Sequence, residues 1–201
     1  AIPTLRRLPR RALAQALVGL TTDLGGDARS RLRRVSEATG VSRHVRRLSR
    51  GRWRRRACAA QLQMLLPDDD SLRTALLLDP HPLVRARAVE TLGPEEALDA
   101  SPHLFALLRD GNPGVRLAAQ LALLRCDARL VPHLMAHLAG EGSPGTLLGL
   151  EVAANLPDPR LGAVLLRHAD DPDPNRRMLV ATALGSTLSQ TDQALAVLSE
   201  L

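Results

Sequence analysis

The chain has 201 residues with a formal net charge of +6, and 45% of its residues are hydrophobic but only 1% aromatic. Its core must therefore consist mainly of Leu, Ala and Val, and the abundance of the two best helix-forming residues favours an all-α protein. No apolar run approaches the roughly 20 residues that a membrane-spanning helix needs, and the two cysteines cannot form a disulfide framework.

Positive charge is concentrated at the start of the chain. All 27 basic residues are arginine, and 16 of them lie in residues 1 to 56 together with only three acids, Asp23, Asp27 and Glu37. Residues 57 to 201 carry 11 arginines and 18 acids. A basic N-terminal part followed by an acidic remainder indicates an anionic partner at the basic end.

Three amphipathic helices are predicted in residues 1 to 50. The first follows Pro9 and ends in the turn residues 21 to 26. The second begins at Asp27 and ends at Gly40, and the third follows directly. Inward-facing positions are expected at Leu13, Leu17 and Leu20 in the first helix, at Leu32 and Val35 in the second, and at Val41, Val45 and Leu48 in the third.

The third helix carries four arginines on one side, spaced at i, i+3, i+4 and i+7. Like charges at this spacing weaken a helix by roughly 0.2 to 0.5 kcal/mol per pair unless an acid or an anion lies among them. We therefore expect either a solvated face or a binding site for an anionic ligand or a membrane surface. This candidate site, here named the basic face, consists of Arg43, Arg46, Arg47, Arg50 and Arg54.

From residue 51 onward a short pattern recurs at intervals of 30 or 31 residues. Each copy has an acidic residue, a proline three positions later, usually an arginine at plus six, and then an apolar helical run. The copies begin at Asp79, Asp110, Glu141 and Asp171. A short first helix, a turn and a longer second helix in each copy predict a stacked helical repeat protein.

Single residues have predicted structural roles in these repeats. Trp53 is expected to anchor a junction helix by packing. Gly93 and Gly185 are expected to end second helices, and residues 190 to 201 to form a closing helix. Small or apolar side chains should face the neighbouring helix at one equivalent position, occupied by Ala88, Ala119, Leu150 and Val180.

The pattern D-x-x-P-x-V-R-x-x-A-x-x-x-L-G, complete from Asp79 to Gly93, resembles the short HEAT-like repeat of bacterial proteins, including relatives of phycobilisome lyases. The resemblance covers residues 49 to 201. It implies an all-α, right-handed α-solenoid of helical hairpins over residues 51 to 201, and the helices predicted in residues 1 to 50 would form its N-terminal helical cap. It also implies a structural ladder between adjacent repeats, formed by Asp79 with Arg85, Asp110 with Arg116, and Asp171 with Arg177.

The third copy departs from this pattern. Glu141 replaces the aspartate, Leu147 replaces the arginine, and three glycines, Gly142, Gly145 and Gly149, loosen the backbone. We therefore predict that this unit is the weakest joint of the solenoid.

The basic start followed by Trp-Arg-Arg-Arg at residues 53 to 56 is similar to bacterial HEAT-repeat proteins that carry an upstream membrane helix. Those proteins are thought to work beside membrane glycosyltransferases. The similarity implies that the chain is the soluble part of such a protein, in the cytoplasm, with its arginine-rich start at the cytoplasmic face of the inner membrane.

No pattern in the chain predicts an enzyme. It has no P-loop, no G-x-G-x-x-G, no G-x-S-x-G and no H-E-x-x-H, so neither a cofactor nor a small-molecule substrate is expected. His133 and His137 share a helix face, with His103 at the matching place in the previous unit. Imidazoles suit zinc or copper, but a closed site needs three or four ligands, so no metal is expected.

The acids and cysteines have structural explanations. The acidic clusters at residues 68 to 70 and 170 to 173 precede helices, where carboxylates cap free amides and meet the positive end of the helix dipole. Cys58 and Cys126 lie in apolar helical runs, so we expect both to be buried small hydrophobes in a reducing compartment.

The expected function is a non-catalytic scaffold that holds another protein on a concave face lined by the second helices. Its candidate contact residues are Arg87, Glu90, Gln120 and Glu151, for each of which solvated surface is the alternative. The alternative function is nucleic-acid binding through the arginine-rich helices, although the chain has almost no aromatic residues for stacking bases. A second alternative, implied by the resemblance, is a lyase-like protein that handles a bilin-type chromophore and would be visibly coloured.

Overall fold

The structure is a computed structural model that describes residues 9, 12 to 14, 16, 26 to 66, 69 to 140 and 146 to 188. These residues form helices and connecting turns without a β-strand, which confirms the predicted all-α class. The chain divides into two compact units, residues 1 to 92 and residues 93 to 201. The predicted cap boundary after residue 50 and the solenoid architecture stay predictions.

The described residues of the first unit form a short helical stretch at residues 12 to 14 and five longer helices. These are α1 (Gly26–Thr39), α2 (Val41–Ser49), α3 (Trp53–Leu62), α4 (Asp70–Leu77) and α5 (Pro82–Glu90), with a 3₁₀ turn at Gln63–Leu65. The predicted inward positions lie in or against one core, in which Leu13, Val41 and Val45 are buried. Leu17 and Leu20 lie outside the described residues.

Gly40 ends α1 as predicted. Its φ is 75°, in the left-handed region that glycine tolerates best, and its amide donates to the carbonyl of Glu37 at 3.1 Å. The chain then continues directly into α2, so this glycine sets the direction of the arginine-bearing helix.

From α7 onward the second unit alternates shorter first helices with longer second helices, as the repeat predicts. Its helices are α6 (Pro94–Asp99), α7 (Ser101–Leu107), α8 (Pro113–Leu123), α9 (Val131–Leu138), α10 (Thr146–Ala154), α11 (Gly162–Leu166) and α12 (Pro174–Leu188), with 3₁₀ turns at Ala128–Leu130 and Pro159–Leu161. The second helices α8, α10 and α12 pack side by side in that order. Ala119, Leu150 and Val180 are buried at their equivalent position, which confirms the predicted packing.

The recurring acid and arginine close a single turn rather than a ladder between repeats. In three copies the arginine Nη1 donates to the backbone carbonyl of the acid six residues earlier, while the acid's carboxylate accepts the amide two residues later. The arginine distances are 2.7 Å for Arg85 to Asp79, 2.8 Å for Arg116 to Asp110 and 2.8 Å for Arg177 to Asp171. The amide donors are His81, Asn112 and Asp173, at 2.8 to 2.9 Å. The predicted pairs are therefore corrected, because each arginine bonds the backbone carbonyl of the acid within its own copy and does not link that acid to an adjacent repeat.

Three other local predictions are wrong. Cys58 is exposed, because the buried sites of α3 go to neighbours such as Ala59, and Cys126 lies partly exposed beyond the end of α8. Gly185 does not end a helix, since α12 continues to Leu188. Gly93, predicted to end α5, instead begins α6, a short helix that the repeat pattern did not predict.

Two predictions fall outside the described residues. The acid, proline and first glycines of the third copy belong to residues 141 to 145, and the predicted closing helix begins at residue 190. No helix among the residues that are described has the length and apolar character needed to cross a bilayer.

Candidate functional site

The basic face lies opposite the buried side of α2. Val41 and Val45 are fully buried, and the arginines project from the other side of the helix. Arg46 forms an ion pair with Asp69, which caps α4, at 3.2 Å. The exposed arginines on either side of it have no carboxylate partner among the described residues: Arg43, Arg47 and Arg50.

Arg54, the fifth residue predicted in the basic face, belongs to α3 and contacts an aromatic ring. Its guanidinium carbon lies 5.3 Å from the centroid of Trp53, a cation–π distance. The Trp53 ring stacks on His81 with centroids 4.1 Å apart and planes 4° from parallel. Trp53 therefore anchors α3 on the turn before α5, in agreement with its predicted packing role, while 36% of its surface stays exposed.

Arg56, one of the 16 arginines in residues 1 to 56, has a structural role. Its Nε and Nη2 donate to the Asp79 carboxylate at 2.6 and 2.9 Å, and its Nη1 donates to the Gly51 carbonyl at 3.0 Å. Burial raises the pKa of Asp79, but the hydrogen bonds from Arg56 and from the His81 amide outweigh burial and hold the pKa below its usual value. Residue spacing could not predict this pair, because the two residues lie 23 positions apart and no helical or turn spacing connects them.

The four predicted contact residues of the second helices form two pairs, one in each unit. In the first unit, Arg87 and Glu90 pair along α5 at 2.9 Å, and both side chains are about half exposed. In the second unit, Gln120 Nε2 on α8 donates to Glu151 on α10. The second pair thus joins neighbouring helices, and both of its residues are partly exposed.

An exposed apolar face on α8 escaped the sequence analysis. Leu117, Leu121 and Leu124 are 54%, 50% and 37% exposed, and they follow one another at i, i+4 and i+7. The opposite side of α8 is also apolar and is buried through Val115 and Ala119. The signal was present in the composition of α8, where Arg116 and Gln120 are the only polar side chains.

The neighbouring second helices continue this apolar face. Leu148 on α10 and Met178 on α12 occupy the repeat position of Leu117. Leu148 is half-buried and Met178 is 61% exposed. We name the set Leu117, Leu121, Leu124, Leu148 and Met178 the leucine face.

The predicted histidines are held separately. His133 Nδ1 lies 2.9 Å from the Ser101 hydroxyl, and His137 stacks on Phe105 with centroids 4.7 Å apart. His103 lies earlier, on α7. Within the described ranges, no group of three or more His, Cys, Asp or Glu side chains could hold a metal ion.

Three carboxylates of the second unit are tied to arginines: Glu95, Asp127 and Asp158. Arg129 Nη2 lies 2.7 Å from Glu95 and 2.8 Å from Asp127, and its hydrogen bonds lower the pKa of both carboxyl groups. Arg160 and Asp158 form the same kind of pair at 2.8 Å, one repeat later in the chain. The sequence analysis missed this Asp-x-Arg motif, which recurs after 31 residues.

No model of a known protein family matches the chain, and no curated protein matches it either. Its function is therefore inferred from the surfaces described above.

Proposed function

We propose that the protein is a non-catalytic scaffold that binds another protein through the leucine face. The observation that carries this proposal is that α8 is apolar on its exposed side as well as on its buried side. Exposed apolar surface costs roughly 25 cal/mol per Å² relative to buried surface, so a contiguous leucine row gains free energy when a partner covers it. Soluble monomers seldom keep such a patch without a binding role.

The partner that fits best is an amphipathic helix of another protein. Leu117, Leu121 and Leu124 form a straight row along a helix, which suits a partner with apolar residues at the same helical spacing. The Gln120–Glu151 pair interrupts the apolar surface with one polar contact. A basic residue on the partner helix would complement Glu151 and fix its register.

This proposal includes the HEAT-like architecture. In a stack of helical hairpins the second helices line a concave side, which offers an extended surface to another chain. The side-by-side packing of α8, α10 and α12 supports this placement of the leucine face.

The test is capture of a partner from a lysate of the source organism with the full chain as bait. We expect one protein that resists moderate salt, is retained by the wild type and is lost with the double variant Leu117→Ser, Leu121→Ser. The matched control is Leu166→Ser, which changes another leucine of the same unit that is 60% exposed. All three substituted leucines lie at the surface, so the thermal unfolding of both variants should stay close to that of the wild type. A partner that the double variant holds as well as the wild type contradicts the proposal.

A second candidate function, binding of an anionic membrane surface, is supported by the basic face. Arg43, Arg47 and Arg50 are exposed without a carboxylate partner among the described residues, although Arg46 has one. Basic residues near an anionic bilayer contribute about 1 kcal/mol each. In this version the basic face lies at the cytoplasmic side of the inner membrane, and the scaffold holds a membrane enzyme such as a glycosyltransferase.

Nucleic acid is the less favoured anion. Proteins that hold single strands stack bases on exposed aromatic rings. Trp53 is already stacked on His81 and contacted by Arg54, and Phe105 is only 5% exposed. Neither ring offers a free face to a base.

Binding to lipid vesicles, compared with binding to DNA, distinguishes an anionic membrane from nucleic acid as the ligand of the basic face. We expect co-sedimentation with phosphatidylglycerol vesicles but not with phosphatidylcholine vesicles, and a loss of binding in the Arg43→Gln, Arg47→Gln variant. The control Arg125→Gln, Arg167→Gln removes the same charge from the second unit. Tighter binding to single-stranded or duplex DNA than to phosphatidylglycerol vesicles would reverse the choice of anion.

A further inference from the structure

A groove of about 360 Å³ lies between α7 and α9 in the second unit, away from the residues of the leucine face. Its walls are the facing stripes of two first helices. The lining residues are Pro102, Phe105 and Ala106 on α7, Arg109 in the turn that follows α7, and His133, Ala136 and His137 on α9. Each helix carries its lining residues at i, i+3 and i+4, a spacing that places them on one side of the helix.

The groove is open because small residues line it. Ala106 and Ala136 are both exposed, and their methyl groups leave a trough that a longer side chain would fill. A volume of this size falls in the range of small-ligand sites in proteins, roughly 300 to 1,000 Å³.

Both imidazoles of the groove are held in place before any ligand arrives. The His133 ring is fixed by its hydrogen bond to Ser101, whose side chain is fully buried. The His137 ring stacks on Phe105 and is backed by Gly149 of α10, where an added Cβ would lie only 2.8 Å from its Cδ2. Fixed walls reduce the ordering cost of binding.

The groove also has a charge opposite to that of its unit. Residues 93 to 201 contain 8 arginines and 13 acids, yet no acid lines the groove. Arg109 lines one wall, is exposed and has no carboxylate partner among the described residues. An arginine fork beside an apolar trough matches a carboxylate attached to an apolar body.

We propose that this groove binds an amphiphilic carboxylate, with the carboxylate on Arg109 and the apolar body between Ala106 and Ala136 against the Phe105–His137 pair. The carboxylate could come from a free organic acid or from the end of a peptide with an apolar side chain. This binding site uses first helices and none of the residues proposed to bind the scaffold's protein partner.

The test uses 1-naphthoate as the probe and its neutral amide as the comparison, with the full chain observed by NMR. We expect naphthoate to shift the ring signals of His133 and His137 and to bind at least about tenfold more tightly than the amide, because the charged hydrogen bonds to Arg109 are lost with the amide. Arg109→Gln should reduce naphthoate binding to the level of the amide. The control Arg125→Gln, at another exposed arginine of this unit, should leave it unchanged.

Filling the groove gives an independent arm of the test. Ala136→Leu should abolish binding of both probes. If that variant folds poorly, Ala106→Leu fills the groove from the other wall and should have the same effect. Acetyl-Gly-Phe with a free carboxylate identifies the source: tighter binding than naphthoate assigns the site to peptide ends, and weaker binding assigns it to free acids. Equal affinity for naphthoate and its amide, or naphthoate binding that survives both leucine variants, overturns the proposal.

Discussion

The carboxylate of Asp79 joins several parts of the first unit. It accepts two hydrogen bonds from Arg56 on α3 and one from the His81 amide, while its own backbone carbonyl accepts from Arg85 on α5. The side chain is 5% exposed. A nearly buried charge is tolerated here because its acceptor sites are occupied by donors.

Asp79→Asn tests the contribution of this charge. A lowered carboxyl pKa gives stability that is present above the unfolded-state pKa of about 3.9 and is lost as the pH falls through the folded-state value. We expect the variant to lose roughly 1.5 to 3 kcal/mol of unfolding free energy at neutral pH, the usual contribution of hydrogen bonds to a charged group. Below about pH 4 its unfolding free energy should fall less steeply than that of the wild type.

Urea unfolding measured from neutral to acidic pH checks this expectation. Asp99→Asn is the control, since it changes an exposed carboxylate and should follow the wild-type pH dependence. Equal acid slopes for Asp79→Asn and the wild type would show that Asp79 is not held ionised by its neighbours.

Two glycines in second helices should respond oppositely to alanine. At Gly149 an added Cβ would lie 2.8 Å from His137 Cδ2 and 3.2 Å from Leu138 Cδ2, so we expect a loss of about 1 to 3 kcal/mol from overpacking. At Gly185, inside α12, the added Cβ meets no described atom within 4 Å, so we expect a gain of roughly 0.5 to 1 kcal/mol. Thermal unfolding measures both, and a stabilised Gly149→Ala protein would exclude the tight contact with His137.

At the scale of elements, the second helices differ most at their first turn. His81 caps α5 and Asn112 caps α8 through side-chain acceptors, and each cap is followed by a proline. In α10, by contrast, the hydroxyl of Thr146 is buried without a hydrogen-bond partner among the described residues. Gly149 adds a backbone penalty in the middle of the same helix.

Hydrogen exchange should therefore distinguish α10 from α8. A mid-helix glycine costs about 1 kcal/mol relative to alanine, so we expect amides of residues 150 to 154 to exchange roughly fivefold faster than those of residues 117 to 123. The measurement is native-state exchange by NMR or mass spectrometry. Equally slow exchange in both helices would contradict the prediction that the third copy is the weakest joint.

Sequence patterns predicted the longer helices better than their connections. The acid, proline and apolar run marked the start of α8 because capping and helix periodicity are local properties. The six-residue α6 was missed, since a helix of this length has too few apolar positions to form a recognisable stripe. The turn arginines were recognised as structural, but whether they bind a carboxylate or a carbonyl depends on how the turn folds.

The candidate sites, too, could be predicted from the sequence only in part. Counting arginines located the basic face, but it could not reveal that Arg56 is tied to Asp79 or that Arg46 is paired with Asp69. The composition of α8 shows apolar residues on all sides, yet periodicity alone does not decide which side is buried. That choice is made by neighbouring helices, which pack against Ala119 and leave Leu117 and Leu121 at the surface.

At the scale of the whole molecule, the two proposed surfaces lie in units of opposite charge. Residues 1 to 92 contain 19 arginines and 8 acids, and residues 93 to 201 contain 8 arginines and 13 acids. The basic face belongs to the first unit and the leucine face to the second. Anion binding should weaken with salt because of ionic screening, whereas apolar burial should be much less sensitive.

These surfaces should therefore be separable by mutation in the full chain. Arg43→Gln, Arg47→Gln should remove binding to phosphatidylglycerol vesicles and leave the captured protein partner in place. Leu117→Ser, Leu121→Ser should remove binding of the protein partner and leave vesicle binding in place. Raising the salt concentration should weaken vesicle binding only. Vesicle co-sedimentation and partner capture, both at low and moderate salt, measure the two activities on the wild type and on both variants. If either variant removes both activities while its unfolding curve stays that of the wild type, the assignment of the two activities to separate surfaces is wrong, because independent sites do not lose two partners to substitutions at one of them.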